Sequence, residues 1–147
     1  MKCKSWVALV LTIISTSVMA LDLSSPESAL RSLEEAYVRG DIEAAVASKD
    51  FAFEAREMLR PMHLAEDEAL VKETAEVLQL SFRSEMKKSG FPDFSQLRCN
   101  VISTKEIQAG LVKMVEVCTF PDGVTSEQTM HAAHSLAGWR IVTMKNR

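Results

Sequence analysis

Apolar residues recur with a helical period through the first two thirds of the chain. Ala29, Leu30, Leu33 and Tyr37 follow one another at intervals of one to four residues, which is typical of a helix with one buried face. Capping residues, glycine and proline divide the pattern into separate helices. It predicts four of them: one from Ser25 to Gly40, a short one after Asp41, one from Asp50 to Arg60, and a long one from about Ala65 to Ser89.

After Pro92 the pattern changes to β-branched residues separated by turn signals. Four strands are predicted, at Leu97–Thr104, Leu111–Phe120, Val124–His134 and Trp139–Met144. Their short connections favour hairpins, and successive hairpins make an antiparallel meander. The expected fold class is therefore α+β, with N-terminal helices packed against a four-stranded sheet.

The first 20 residues have the pattern of a cleavable secretory signal peptide. Lys2 and Lys4 precede the apolar stretch Trp6–Ile14, and small residues lead to Ala20, after which cleavage is expected. The apolar stretch is shorter than the roughly 20 residues that a membrane span needs. The sequence thus predicts an exported protein, periplasmic or secreted, in which residues 21–147 form a single domain that does not associate with a membrane.

Export also changes what is expected of the cysteines. Cys3 lies in the predicted signal peptide, which leaves Cys99 and Cys118. If Ile107–Gly110 makes the first hairpin turn, residues that face each other across it have numbers that sum to 217, and so do those of the two cysteines. This register and the oxidising compartment predict a disulfide, with two buried thiols as the alternative.

Composition excludes several classes of function. The formal charge is −3, or −5 without the two leader lysines, and there is no basic run, so neither nucleic acid nor an anionic membrane is an expected partner. The sequence has no GxSxG stretch and no glycine-rich phosphate loop. His131 and His134 are expected on opposite faces of one strand and His63 lies elsewhere, so we expect no metal site and no cofactor.

Two segments resemble the nuclear-transport-factor-2-like superfamily. They are EEAYVRGDIEAAVAS at Glu34–Ser48, with a Gly–Asp step between two helices, and GWRIVTM at Gly138–Met144, with a Gly–Trp pair in the last strand. The resemblance implies a curved sheet wrapped around the helices into a cone with a central pocket. Members of that superfamily include isomerase-like and dehydratase-like enzymes, small-ligand binders, and assembly or toxin-neutralising domains, so the fold does not determine the function.

Five residues are candidates for the lining of such a pocket. His131 and Glu127 share one strand face, and a histidine beside a carboxylate can act as a general acid or base, although a solvated face is the simpler interpretation. Met114 and Met130 suit an adaptable apolar site, with core filling as the alternative, and Tyr37 belongs to the first predicted helix. No catalytic residue is assigned.

The predicted helices carry many acids, which suggests an exposed acidic surface made of Glu34, Glu35, Asp67, Glu68, Glu73 and Glu76. The leading hypothesis is a non-enzymatic exported protein that binds a small apolar ligand or a protein partner through a pocket or the sheet surface. The alternatives are an isomerase-like or dehydratase-like enzyme and a toxin-neutralising protein. A homodimer formed through the open sheet face is compatible with all three.

Overall fold

Helices and strands occupy separate halves of the chain and form two layers. The structure, a computed structural model, describes residues 20–144, so all of the predicted signal peptide except Ala20 lies outside the described residues. The helices are α1 (Pro26–Arg39), α2 (Ile42–Ala47), α3 (Phe51–Leu59) and α4 (Glu68–Ser89), with a 3-10 turn at Arg60–Met62. The strands are β1 (Arg98–Gln108), β2 (Leu111–Thr119), β3 (Thr125–Ser135) and β4 (Gly138–Val142). They pair antiparallel in chain order, which confirms the α+β fold and the meander.

Side-chain caps fix where the helices begin. Ser25, Asp41 and Asp50 each accept a hydrogen bond from the backbone N–H three residues further on, as the sequence predicts. The long helix α4 begins at Glu68 and not at about Ala65, because Asp67 is its cap. Among residues 20–144, no helix combines the length and the apolar character that crossing a membrane requires.

The main core lies between α1 and one face of the sheet, here called the inner face. Its buried residues are Ala29, Leu30, Leu33, Ala36, Ala45, Val112, Met114, Ala132 and Ile141. Full burial of a leucine or isoleucine side chain stabilises the fold by roughly 1.5–3 kcal/mol. A smaller cluster on the opposite, outer face joins Leu111, Ala133 and Val142 to Phe53 of α3. The start of α3 therefore contacts the outer face beside β4, while α1 packs on the inner face.

The free edge of β4 is covered by the link between α2 and α3. The Ile141 N–H donates to the Ser48 carbonyl at 2.9 Å, and the Asp50 N–H donates to the Ile141 carbonyl at 3.0 Å. Lys49 thereby pairs with Ile141 as a single parallel bridge. This bridge, here called the β4-edge bridge, fixes the helical layer to the sheet.

The segment before α1 packs against the hairpin between β3 and β4. The Trp139 N–H donates to the Leu23 carbonyl at 2.9 Å. Gly138 has a φ of 98°, and a Cβ there would lie 2.6 Å from the same carbonyl oxygen. The glycine of the Gly–Trp pair is therefore needed for close backbone packing.

The predicted disulfide is confirmed. Cys99 and Cys118 lie directly opposite each other on β1 and β2, and their sulfur atoms are 2.04 Å apart. Cys118 is buried and belongs to the inner face, while Cys99 is half-buried. The bond therefore closes one end of the sheet between its first two strands.

The predicted turn, in contrast, is wrong. Gln108 pairs with Leu111, so the turn has only two residues, and β1 continues to Gln108 instead of ending at Thr104. With this two-residue turn, the numbers of residues that face each other next to the turn sum to 219, not to 217 as the cysteine pair requires. The register shifts twice, at Ile102 and at Ile107, and each bulge lowers the sum by one. The cysteines meet because the two bulges offset the shorter turn.

We expect a chain that begins at Leu21 to show no free thiol when it is denatured without reductant, and two after reduction. The bond joins two cysteines that are 19 positions apart in the sequence. Reduction should lower the free energy of unfolding by about 3 kcal/mol, because the unfolded chain gains freedom. Thiol titration and urea denaturation check both statements, and two free thiols before reduction would contradict the bond.

Candidate functional site

A cavity opens beside the sheet where β4 ends. β4 stops at Val142, opposite His131, whereas β3 extends from there to Thr125 with β2 on one side and no strand from residues 20–144 on the side of β4. α4 and the start of α3 face this part of β3. The space between them, here called the β4-end cavity, has a volume of about 520 Å³.

Most of the cavity wall is apolar. The apolar lining consists of Leu33, Phe51, Leu78, Phe82, Met130, Ile141, Val142 and Met144. The rings of Phe51 and Phe82 pack together with centroids 5.7 Å apart and an angle of 55° between their planes. This volume, an apolar wall and a few polar groups are typical of a small-molecule site.

Lys49 and Glu54 form a buried ion pair at one end of the cavity. The Lys49 Nζ donates to Glu54 Oε1 at 2.9 Å and to Thr143 Oγ1 at 3.0 Å, and the Thr143 N–H donates to the same Glu54 oxygen at 2.7 Å. The ammonium also lies 5.5 Å and 5.7 Å from the ring centroids of Phe51 and Phe82. The β4-edge bridge places Lys49 here, because it fixes the backbone of Lys49 beside β4.

Tyr37 reaches the cavity from α1. Its ring packs against Phe91 and Phe94 of the segment between α4 and β1, with centroids 6.0 Å and 6.2 Å away. Burial, and to a smaller extent the negative charge of Glu54, raises the pKa of Tyr37 to about 12. The hydroxyl is therefore protonated at neutral pH and can donate a hydrogen bond.

The five pocket candidates lie in three different places. Tyr37, Met130 and His131 line the β4-end cavity together. Met114 is completely buried in the main core, and Glu127 is exposed on the outer face away from the cavity lining. Burial, and then the positive charge of the neighbouring Lys113, lowers the pKa of His131, so its imidazole is neutral at pH 7.

A second charged cluster lies inside the main core and is not anticipated by the sequence analysis. Glu116 on β2 is fully buried, and Glu34 on α1 is only 7% exposed, so Glu34 does not belong to an exposed acidic surface as predicted. Arg31 forms an ion pair with Glu34 and has its Nη2 2.8 Å from Glu116 Oε1. The Gln128 amide donates to Glu116 Oε2 at 2.6 Å.

This cluster has one negative charge too many when both carboxyl groups are ionised. Burial, followed by a hydrogen bond to Glu116 and repulsion from its charge, raises the pKa of Glu34 to about 7, although Arg31 acts in the opposite direction. Neither Glu34 Oε1 nor Glu116 Oε1 accepts a well-aligned hydrogen bond from a described residue. A proton shared by the two groups removes the excess charge and supplies a missing hydrogen bond.

The same cluster borders the disulfide without forming a metal site. One carboxylate oxygen of Glu116 and the sulfurs of Cys99 and Cys118 lie within 4.8 Å of one another. Metal binding by cysteine requires thiolates, and these sulfurs are bonded to each other. The three residues therefore do not make a ligand set.

Two further cavities are less suited to a small apolar molecule. One, of about 430 Å³, lies between α2, α3 and α4 and is lined by many charged groups, among them Arg56, which forms two hydrogen bonds to Glu68 at 2.8 Å and 3.0 Å. The other, of about 590 Å³, is formed by exposed residues around Phe120 at the turn between β2 and β3. The β4-end cavity combines an apolar wall with buried polar groups and is the candidate site.

Comparisons of the chain with protein-family models, with curated proteins and with solved structures found no match.

Protonation of Glu34 makes stability depend on pH. The folded state holds this proton up to about pH 7, whereas the unfolded chain releases it near pH 4.5. We therefore expect the free energy of unfolding to fall as the pH rises from 4.5 to 7, by up to about 3 kcal/mol, and to change little above pH 7 through this group. Urea denaturation at a series of pH values measures this slope.

Glu35 provides the matched control for this experiment, because it is the next residue of α1 and its side chain is 64% exposed. Glu34→Gln should flatten the slope, because the amide does not titrate, and Glu35→Gln should leave it unchanged. An equal slope in the Glu34→Gln variant would show that the shared proton does not control stability.

The Lys49–Glu54 pair should be strongly coupled. Lys49→Met leaves the Glu54 carboxylate buried without its cation and should lower the free energy of unfolding by about 3 kcal/mol. Adding Glu54→Gln should restore part of this loss. Lys72→Met removes an exposed lysine of α4 and should change stability by less than about 0.5 kcal/mol. Equal losses in the single and the double variant, measured by urea denaturation, would contradict the coupling.

Proposed function

We propose that this chain is an exported, non-enzymatic binding protein that holds a small, mainly apolar molecule in the β4-end cavity. The observation that carries the proposal is the cavity itself, whose wall joins eight apolar side chains to the buried Lys49–Glu54 pair and the Tyr37 hydroxyl. Apolar contacts supply affinity in such sites, and a few fixed polar groups supply orientation.

Export is the part of the proposal that concerns the compartment. The Cys99–Cys118 disulfide is compatible with an oxidising environment, where such bonds persist. Together with the pattern of residues 1–20, this favours the periplasm or the extracellular space. In this proposal the β4-end cavity is the pocket of the cone that the resemblance to the nuclear-transport-factor-2-like superfamily implies.

Binding is favoured over acid–base catalysis by the separation of the candidate groups. Four residues along a strand separate His131 from Glu127 by about 13 Å, which is too far for a hydrogen-bonded pair. Lys113 is the charged neighbour that acts on His131. Two carboxylates line the cavity: one oxygen of Glu54 already accepts two hydrogen bonds, and Glu85 accepts one from Ser89.

Nile red, an uncharged dye that fluoresces in apolar surroundings, tests the proposal. We expect it to bind the protein and to lose at least about tenfold in affinity in the variant Thr129→Trp, which corresponds to about 1.4 kcal/mol. Thr129 is exposed and lines the cavity, so the indole would fill the entrance without disturbing the core. Fluorescence titration measures both dissociation constants.

Thr125→Trp is the control, because Thr125 is exposed on the same face of the same strand but does not line the cavity. Its affinity for the dye should equal that of the unchanged protein. If both variants bind equally, the dye does not occupy this cavity. If the unchanged protein binds no dye, the proposed function is wrong.

A further inference from the structure

The two charged side chains at the polar end of the β4-end cavity neutralise each other. The side chains of Lys49 and Glu54 are 7% and 11% exposed, and their charged atoms are 2.9 Å apart. A buried ammonium and a buried carboxylate at this distance neutralise each other. A ligand that enters the cavity therefore meets no net charge at this end.

The ammonium of Lys49 also has little capacity left for a ligand. It has three N–H donors, of which one bonds to Glu54 and one to Thr143. The rings of Phe51 and Phe82 lie beside it. A ligand carboxylate that bonded to the third N–H would place a second negative charge beside Glu54, and the single ammonium can neutralise only one of them.

One donor and one acceptor remain available beside the pair. Among the described residues, no hydrogen bond joins the Tyr37 hydroxyl or the second oxygen of Glu54, Oε2, to another group. Tyr37 and Glu54 both line the β4-end cavity, and the negative charge of Glu54 contributes to the raised pKa of Tyr37. A hydroxyl group can donate to the carboxylate oxygen and accept from the phenol at the same time.

Glu85 and His131 also line the cavity and add no positive charge that would attract an anion. Glu85 is exposed and accepts a hydrogen bond from Ser89, and His131 has a lowered pKa and is neutral at pH 7. A cationic head group, in turn, would be repelled by Lys49 and attracted by Glu54, so the neutral pair offers no net attraction to offset the loss of its hydration.

We propose, as a refinement that rests on the binding function above, that the β4-end cavity selects an uncharged amphipathic molecule whose hydroxyl head group hydrogen-bonds to Tyr37 and Glu54. The apolar part of the molecule lies against the phenylalanine and methionine side chains. Tyr37 is then the residue that determines specificity, and the ion pair is the device that excludes charged analogues.

Three probes with the same ten-carbon chain test the selection: decan-1-ol below its solubility limit, and decanoate and decyltrimethylammonium below their micellar concentrations. Each competes with Nile red on the full chain at pH 7. Decan-1-ol should displace the dye at a concentration at least about tenfold lower than either ion, because burial of an uncompensated charge costs far more than burial of a bonded hydroxyl.

Tyr37→Phe and Glu54→Gln separate the two parts of the inference. Tyr37→Phe removes one hydrogen bond and should weaken decan-1-ol about fivefold while leaving decanoate unchanged. Glu54→Gln leaves Lys49 without its carboxylate and should shift the preference towards decanoate. Tyr37→Phe keeps the test valid even if Glu54→Gln does not fold, since it leaves the ion pair in place.

The possible results distinguish the refinement from the function on which it rests. Equal or tighter binding of either ion, or an unchanged affinity of Tyr37→Phe for decan-1-ol, would overturn the refinement and leave the binding function intact. If none of the three probes displaces a dye that Thr129→Trp weakens, the refinement is wrong and the binding function stands, whereas absence of dye binding would overturn both.

Discussion

The β4-edge bridge is the contact on which the rest of this structure depends. Two backbone hydrogen bonds to Ile141 cover the free edge of a strand that is only five residues long. The same bonds fix the point at which α2 ends and α3 begins, so Phe51 and Glu54 project towards the end of β4. They also hold Lys49 where its side chain can pair with Glu54. One backbone contact therefore covers the β4 edge of the sheet and positions the polar end of the cavity.

Charge is buried in two different ways in this protein. In the β4-end cavity one cation faces one carboxylate, and the pair needs no proton to be neutral. In the core, Arg31 faces both Glu34 and Glu116, and the extra carboxylate retains a proton up to about pH 7. The first arrangement leaves no net charge at the polar end of the cavity. The second makes the contact between α1 and the sheet sensitive to pH.

Local signals in the sequence are sufficient to predict most of the fold. Caps such as Ser25 and Asp41 act within one helical turn, so helix starts follow from neighbouring residues alone. The burial of Glu116 could also have been predicted. Glu116 lies two residues from both Met114 and Cys118 on β2, so its side chain is on the same, buried face of the sheet. The burial of Lys49 could not, because it depends on pairing with Ile141, which is 92 residues away in the chain.

The first hairpin shows why a correct contact can follow from an incorrect local prediction. The cysteine pair fixes the register at one end of β1 and β2, and the two-residue turn fixes it at the other. The two registers differ by two residues, and an antiparallel ladder can absorb such a difference only through bulges. Placing them at Ile102 and Ile107 leaves both side chains exposed on the edge strand. Bulges there also disrupt the flat edge that would otherwise pair with another strand, so the device that aligns the disulfide protects the sheet as well.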